Sequence, residues 1–424
     1  MNQNEFSTIG RVTRRKDGIS KVTGKEIYSS DVTFPNMLFG RVVRSKYPHA
    51  KVISVDTSAA EAMGAICIVY HDVPKVRYNE RQVSIPQKTY RDRTILANVV
   101  RHVGEAIAAV AAKTEALAEK AMRSVVVEYE KLPPIYDAFE SMQPDTPKIY
   151  DDIMLGDEIF PIDKNIACFR EVSEGDVAKG FSEADLIVEN EFKTGRVYHG
   201  QMETKAVVCK TDPDGSIDVY PTTQSIHNTR QLLGRIFDIP LNKVNVHRVS
   251  LGGSFGSSIQ MNSNIPICVA LSLKAHRPVK MVLSREEDMY SHCKYPTIIK
   301  LKYGVKSDGT ITAGELKTTV DIGAHNIQAY PLLGCMAGWF VSLYRMPNLG
   351  FEGTAVYTNK VPACAMQGYG NPQVTFAVES QMDIIAEKLG IDPIDMRLKN
   401  YVGLGETFWG QGPTVRSIIK SCGV

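Results

Sequence analysis

Apolar positions in the first third of the chain fall into short runs with differing periods. Leu38–Val43 and Ala65–Tyr70 are strand-like, and Ala106–Ala112 is a continuous apolar run. Thr114–Ser124 has helical composition, and Val125–Tyr129 alternates as a strand. The last three, in that order, predict a β-α-β unit, and the region as a whole predicts an α+β domain. From Leu132 to about Asn165 the pattern dissolves into Pro, Asp and Ile without a period, as expected of a chain crossing between domains. Strands are then predicted at Ile187–Phe192, Ala206–Cys209, Ile217–Tyr220 and Val244–Val249. Helices are predicted at about Asn228–Phe237 and Ile265–Lys274, the second opening at Asn264 with Pro266 where no N–H is needed. Val374–Leu389 reads as an amphipathic helix closed by Gly390 and followed by IDPIDMRLKN. No internal repeat interrupts this order. The fold class is therefore α+β, with residues 1–135 as one domain, 136–165 as a linker and 166–424 as a second domain.

Composition narrows the function classes. The 424 residues, 43% of them hydrophobic, supply a core for each of two or three domains. A net charge of +2, from 49 basic and 47 acidic residues, gives no electrostatic reason to expect nucleic acid or an anionic membrane as partner. Eight cysteines, at 67, 168, 209, 268, 293, 335, 364 and 422, form no C-x-x-C pair and no cluster with histidine, so no zinc or iron–sulfur site is encoded here. Dispersed thiols imply a reducing compartment. With a polar N-terminal stretch and no run near the ~20 apolar residues of a membrane span, the chain is expected to be soluble and cytoplasmic.

Three stretches resist a purely structural reading. LGGSFGSS (251–258) packs three glycines around one large aromatic, as loops do when backbone N–H groups must approach a ligand closely. It is not a dinucleotide fingerprint, because starting at Gly252 the third position is Ser254 and the sixth is Ser257. It is not a Walker loop either, since no lysine occurs between Arg248 and Lys274. PTTQSIHNTR (221–230) and NKVPACAMQGYGNPQ (359–373) are the other two. Each of the three is expected where a strand gives way to a helix and main-chain donors point outward.

Together these stretches resemble the large, molybdenum-binding subunit of the xanthine dehydrogenase and aldehyde oxidase family of molybdenum hydroxylases. GGSFGS resembles that family's G-G-G-F-G-G loop, TTQS its T-Q-x segment, and AMQGYGNPQ its A-F-R-G-F-G-x-P-Q. KVTGKEIYSSD (21–31), RHVGEAIAAVAA (101–112), HGQMET (199–204) and EKLGIDPIDMRLKN (387–400) extend the likeness in order along nearly the whole chain. The resemblance implies an α/β hammerhead-like domain over 1–135 and a first molybdopterin-binding domain over 166–424. It also implies the N-terminal half of a split large subunit. The implied chemistry is hydroxylation of an electron-poor carbon of a heterocycle or aldehyde with oxygen drawn from water. A molybdenum–molybdopterin cofactor, expected in its cytosine dinucleotide form, performs it. Electrons then leave to 2Fe-2S clusters on a small partner subunit and to FAD on a medium one, and a second molybdopterin-binding half-subunit completes the site.

The same resemblance assigns roles. Gln224 matches the glutamine whose amide meets a molybdenum oxygen ligand; Gly252, Gly253, Ser254, Phe255 and Gly256 match the loop whose amides approach that ligand set and the pterin. Met366, Gln367 and Gly368 form a second cofactor-binding bend, in which Gln367 stands where arginine is usual and its main-chain N–H remains to serve. No side chain is implied as a direct metal ligand. Tyr369 replaces the phenylalanine that stacks on substrate, while Ile259 and Cys335 stand where purine-oxidising relatives place a glutamate and an arginine. Together with Gln367 these changes imply a pocket stripped of the charges that grip xanthine, and a less polar heterocycle, aldehyde or other aromatic substrate rather than a purine. The catalytic base is expected on the partner chain, since neither Gly104-Glu105 nor Gly405-Glu406 occupies its place; His199 and Glu203 are expected to support the fold.

Taken singly, Gln224 also suits a strand-end turn, the glycine loop a hairpin, and Tyr369 a buried turn. A non-catalytic scaffold and an aromatic thioester reductase subunit of the same superfamily are the rival readings.

Overall fold

The computed structural model describes residues 7, 10, 12–81, 90–156, 158–162, 164–409 and 416–418. Two large sheets organise them. The first has seven strands, in the order Val244–Val246, Ile217–Pro221, Ala206–Thr211, Val279–Val282, Leu38–Arg44, Ala106–Ala112, Ile66–Ile68. Its midpoint is a parallel pairing of Leu38 with Val279 and Phe39 with Lys280. The N-terminal strands and the central strands thus form one sheet across the boundary that the periodicity suggested. Their core is shared too: Leu38, Val42, Ile68 and Ala109 pack in one cluster with Val207, Ile217, Leu232 and Leu271.

Ala106–Ala112 is buried at every position. Ala109 and Ala111 face the shared core, whereas Val110 and Ala112 face the helix Glu115–Ser124 through Ala118 and Ala121. A strand covered on both faces reads as a continuous apolar run, and small side chains let both layers approach. The expected β-α-β unit does not form. Val126–Lys131 pairs instead with Ala50–Asp56 in a separate three-stranded sheet, because both edges of Ala106–Ala112 are already occupied by Leu38–Arg44 and Ile66–Ile68.

The second sheet runs Ile166–Glu174, Leu349–Tyr357, Ile311–Gly323, Thr297–Val305, Leu186–Thr194. Its one parallel pair, Ile311–Gly323 with Leu349–Tyr357, is bridged by the crossover helix Ala329–Phe340. The helix Asn371–Leu389 buries residues 373, 374, 377, 378, 381, 382, 385 and 386, a stripe that recurs every fourth position. Gly390, at φ +69°, ends it as the sequence predicted.

The aperiodic stretch after Leu132 carries structure of its own: a short helix Ala138–Ser141 and the hairpin of Asp152–Leu155 with Glu158–Pro161. Ile149, Tyr150, Ile153 and Ile162 from it enter the main core. Cys422 lies outside the described residues; the other seven cysteines are free. Among the described residues no helix is long and apolar enough to cross a membrane.

Candidate cofactor site

Gln224 lies between the strand Ile217–Pro221 and the helix Ile226–Phe237. Its main-chain N–H donates to the Ser258 carbonyl at 2.8 Å, the Ser258 N–H donates to Ser254 Oγ at 2.9 Å, and Ser254 Oγ donates to Gln224 Oε1 at 2.6 Å. The three bonds close a ring between the first stretch and the glycine loop. With Oε1 engaged, the carboxamide is fixed in one orientation and its exposed Nε2 keeps both N–H donors free among the described residues. Ser254, where the family pattern has glycine, supplies the hydroxyl that does this.

The loop's backbone is held open. Gly253 and Gly256 sit at φ +101° and +111°, and Phe255 between them at +53°. A Cβ on Gly256 would stand 2.5 Å from the Ala365 carbonyl oxygen, closer than any side chain tolerates. The N–H groups of Gly253, Ser254, Phe255 and Gly256 donate to no acceptor among the described residues. The Phe255 ring is 50% exposed.

Across from it, the Gln367 N–H donates to the Phe255 carbonyl at 2.8 Å. The expectation that this N–H serves a ligand is therefore corrected, because it is consumed in joining the two bends. In the second bend the N–H groups of Met366, Gly368 and Gly370 donate to no acceptor among the described residues. Gly368 and Gly370 adopt φ +94° and +88°, and Tyr369 between them +35°. The aromatic residue of each bend is thus held in the left-handed region, a conformation that costs roughly 1–3 kcal/mol and persists only where surroundings impose it.

HGQMET imposes it. His199 Nε2 lies 2.9 Å from the Ala365 carbonyl, which can only accept, so this nitrogen carries the proton. Glu203 Oε2 accepts the Gly252 N–H at 2.5 Å, and its Oε1 accepts Thr222 Oγ1 at 3.2 Å. Burial pushes the Glu203 carboxyl above its ordinary pKa, and the Gly252 N–H opposes this. Gln201 packs beneath Gly253 and donates to Asp288, a fully buried carboxylate that also accepts from Tyr198 and from Lys205 at 2.7 Å. One segment therefore staples both bends to the interior.

Of the expected substrate residues, Tyr369 is partly buried, donates its hydroxyl to the Gln328 carbonyl at 2.7 Å and meets Tyr295 edge-on at 6.5 Å. Cys335 lies on the helix Ala329–Phe340, which backs the second bend where Leu332 and Met336 close over Gly370. Ile259 is partly buried at the end of the glycine loop, and its carbonyl accepts 3.2 Å from Arg81 Nη1. The same Nη1 donates to Ser225 Oγ at 3.3 Å, beside Gln224.

Arg81 is the site residue that sequence reasoning missed. It arrives on the segment 78–81, held by the buried Glu80, whose carboxylate is paired with Arg93 and lies 2.7 Å from His292 Nε2. The Glu80 carbonyl also accepts the Met261 N–H at 2.8 Å. No local sequence signal marks Arg81; only the docking of the N-terminal region brings it here. Arg81 thus places a positive charge beside Ser225 and Ile259, at a position that the readings of Ile259, Cys335 and Gln367 did not address.

The two G-E pairs serve elsewhere. Glu105 is buried, accepting from His325 Nε2 at 2.9 Å and from the Arg101 N–H at 2.5 Å. Glu406 is paired with Arg345 at 2.6 Å.

Two bends of free main-chain amides, flanked by one oriented carboxamide, define a wall of neutral donors suited to an oxygen-bearing group that brings its own charge. The residues fit a metal cofactor that needs no protein ligand. Residues 159–401 match the molybdopterin cofactor-binding domain, and residues 23–133 match the aldehyde oxidase and xanthine dehydrogenase a/b hammerhead domain. The chain belongs to this molybdopterin-binding family. It is 37% identical over 390 residues to a probable xanthine dehydrogenase subunit of Bacillus subtilis, covering 91% of this chain and 50% of that protein, so that it spans about half the length of that relative. It is 31% identical over 399 residues to the nicotinate dehydrogenase large molybdopterin subunit of Eubacterium barkeri, covering 93% and 90%. Among solved structures, the aldehyde oxidoreductase of Desulfovibrio gigas superposes with a TM-score of 0.84 at 29% identity, covering 94% of this chain and 44% of that one.

Proposed function

We propose that this chain is the N-terminal, cofactor-holding half of a split large subunit in a molybdenum hydroxylase. The enzyme oxidises an electron-poor carbon of a heterocycle or aldehyde. When bound, the molybdenum–molybdopterin cofactor, in its cytosine dinucleotide form, supplies the two-electron oxidation and oxygen drawn from water. The chain's own contribution is orientation: Gln224 Nε2 and the amides of Gly253, Ser254, Phe255, Gly256, Met366 and Gly368 present donors, and Gly252 is pinned by Glu203. Preorganised donors of this kind favour charge that develops during reaction without needing to rearrange.

Tyr369, Ile259 and Cys335 line the substrate side. Among the described residues, Glu203, the carboxylate at the glycine loop, is engaged in accepting from Gly252 and Thr222 and is not the base. A second molybdopterin-binding half-subunit supplies the base, a small 2Fe-2S subunit and a medium FAD subunit take the electrons, and free dispersed thiols favour a cytoplasmic complex.

One observation carries this reading: the Gln224–Ser254–Ser258 ring, which leaves a carboxamide donor free beside a row of free amides. Metal and pterin analysis of the complex purified from its own host tests it, with molybdenum expected at about one per copy of this chain. A metal-free complex would leave the scaffold reading. Dye-mediated assays separate hydroxylation from thioester reduction.

A further inference from the structure

We propose that Arg81 is the anion-recognising residue of the substrate pocket, so that the substrate class is an aromatic or heteroaromatic carboxylate. This deepens the hydroxylase reading and rests on it.

Arg81 carries a charge with no acidic partner among the described residues. Arg81 is partly buried, and burial depresses its pKa. Taking a guanidinium out of water without a counter-charge is costly, and folded chains normally compensate it with a carboxylate. Arg93, in the anchor of the same segment, is paired with Glu80 in this way. Arg81 is not. Its Nη1 meets only the neutral Ile259 carbonyl and Ser225 hydroxyl, at 3.2 and 3.3 Å, and no acidic side chain pairs with it among the described residues. Residues 82–89, which follow it, include no Asp or Glu. A charge left uncompensated in a built position implies a partner that arrives from outside.

The position is built. The Arg81 N–H donates to Asn79 Oδ1 at 2.8 Å, and Asn79 Nδ2 bonds the carbonyls of Tyr90 at 2.7 Å and Asn326 at 2.5 Å. Glu80 is 2% exposed and fastened by Arg93, His292 and the Met261 and Asn228 donors. Arg81 is consequently delivered to the junction of the Gln224 stretch and the glycine loop, within electrostatic reach of the Tyr369 hydroxyl. Nη2 and Nε donate to no acceptor among the described residues, which leaves donors for a carboxylate in the forked geometry that arginine favours.

The test uses the intact multi-subunit complex, titrated calorimetrically with pyridine-2-, 3- and 4-carboxylates and with the matching neutral carboxamides. At least one carboxylate is expected to bind at least ~10-fold more tightly than its amide. Arg81→Gln is expected to weaken that carboxylate roughly 10–100-fold while changing the amide less than about 3-fold; Arg81→Lys should restore part of the difference. Molybdenum and pterin content should stay at the wild-type level. Equal loss for carboxylate and amide, or binding of no carboxylate, overturns the proposal. Loss of pterin in Arg81→Gln would assign the anion to a cofactor phosphate and overturns it too. Binding is read as heat and needs no turnover, so a complex without molybdenum would remove the proposed function while the titration still decides the role of Arg81.

Discussion

The main-chain N–H of Gln367 donates to the carbonyl of Phe255 across 2.8 Å, and this bond joins the two bends of the proposed cofactor site. At the same seam Gly256 faces the Ala365 carbonyl with no room for a side chain. The site is therefore a single wall built from residues more than a hundred positions apart, and its integrity depends on main-chain contact.

Gly256→Ala should separate the bends. The new Cβ would meet the Ala365 oxygen at 2.5 Å in a backbone conformation at φ +111° that side chains avoid. Molybdenum and pterin content should fall at least ~10-fold, with stability lowered by about 1–3 kcal/mol. Full cofactor occupancy in this variant would contradict the seam.

Ser254→Ala removes the hydroxyl that holds Gln224 Oε1 at 2.6 Å. The carboxamide then rotates freely, and kcat should drop about 10-fold with molybdenum retained. Gln224→Ala removes the donor itself and should cost roughly 10²–10³ in kcat. Equal effects from the two variants would show that Ser254 acts on something other than Gln224.

Glu80→Ala would strand Arg93 and His292 in the interior, at 8% and 1% exposure. Breaking a buried pair from one side costs about 3–5 kcal/mol. A shift in thermal midpoint of the complex measures it, and a midpoint within 1 °C of wild type would mean that the pair is dispensable.

Stability should fall as pH drops below about 6.5. Burial pushes His102 down to about 3, His292 well below its ordinary value, and His199 down as well. These rings stay neutral when folded but take up a proton when unfolded, so the unfolded state binds more protons in this window. His102 and His292 each contribute up to about 1.4 kcal/mol per pH unit once the unfolded ring is protonated, and His199 acts in the same direction. Glu105 acts lower: burial raises its pKa, but the His325 charge and hydrogen bond outweigh this and hold it well below the carboxylate range. Its contribution is present above about pH 4 and lost beneath. Denaturant titrations from pH 7.5 to 4.5 check the slope, and His102→Phe should reduce it by one histidine's share.

The sequence by itself determined the elements whose pattern is local. Leu38–Arg44, Ile217–Pro221 and Asn371–Leu389 formed where their periods predicted, because burial of one face acts over a few residues. It also marked where the backbone would bend tightly, since LGGSFGSS and AMQGYGNPQ carry the glycines that positive φ angles require. Tertiary structure alone decided the rest. The β-α-β unit failed because the edges of Ala106–Ala112 were taken by strands distant in sequence, and the Gln367 N–H was consumed by a carbonyl 112 positions away. Arg81 reached the site through pairings such as Leu38 with Val279, which join segments that no local pattern relates. Hydrogen bonds and charges are satisfied by whichever partner the fold delivers, and the identity of that partner is a property of the packed chain.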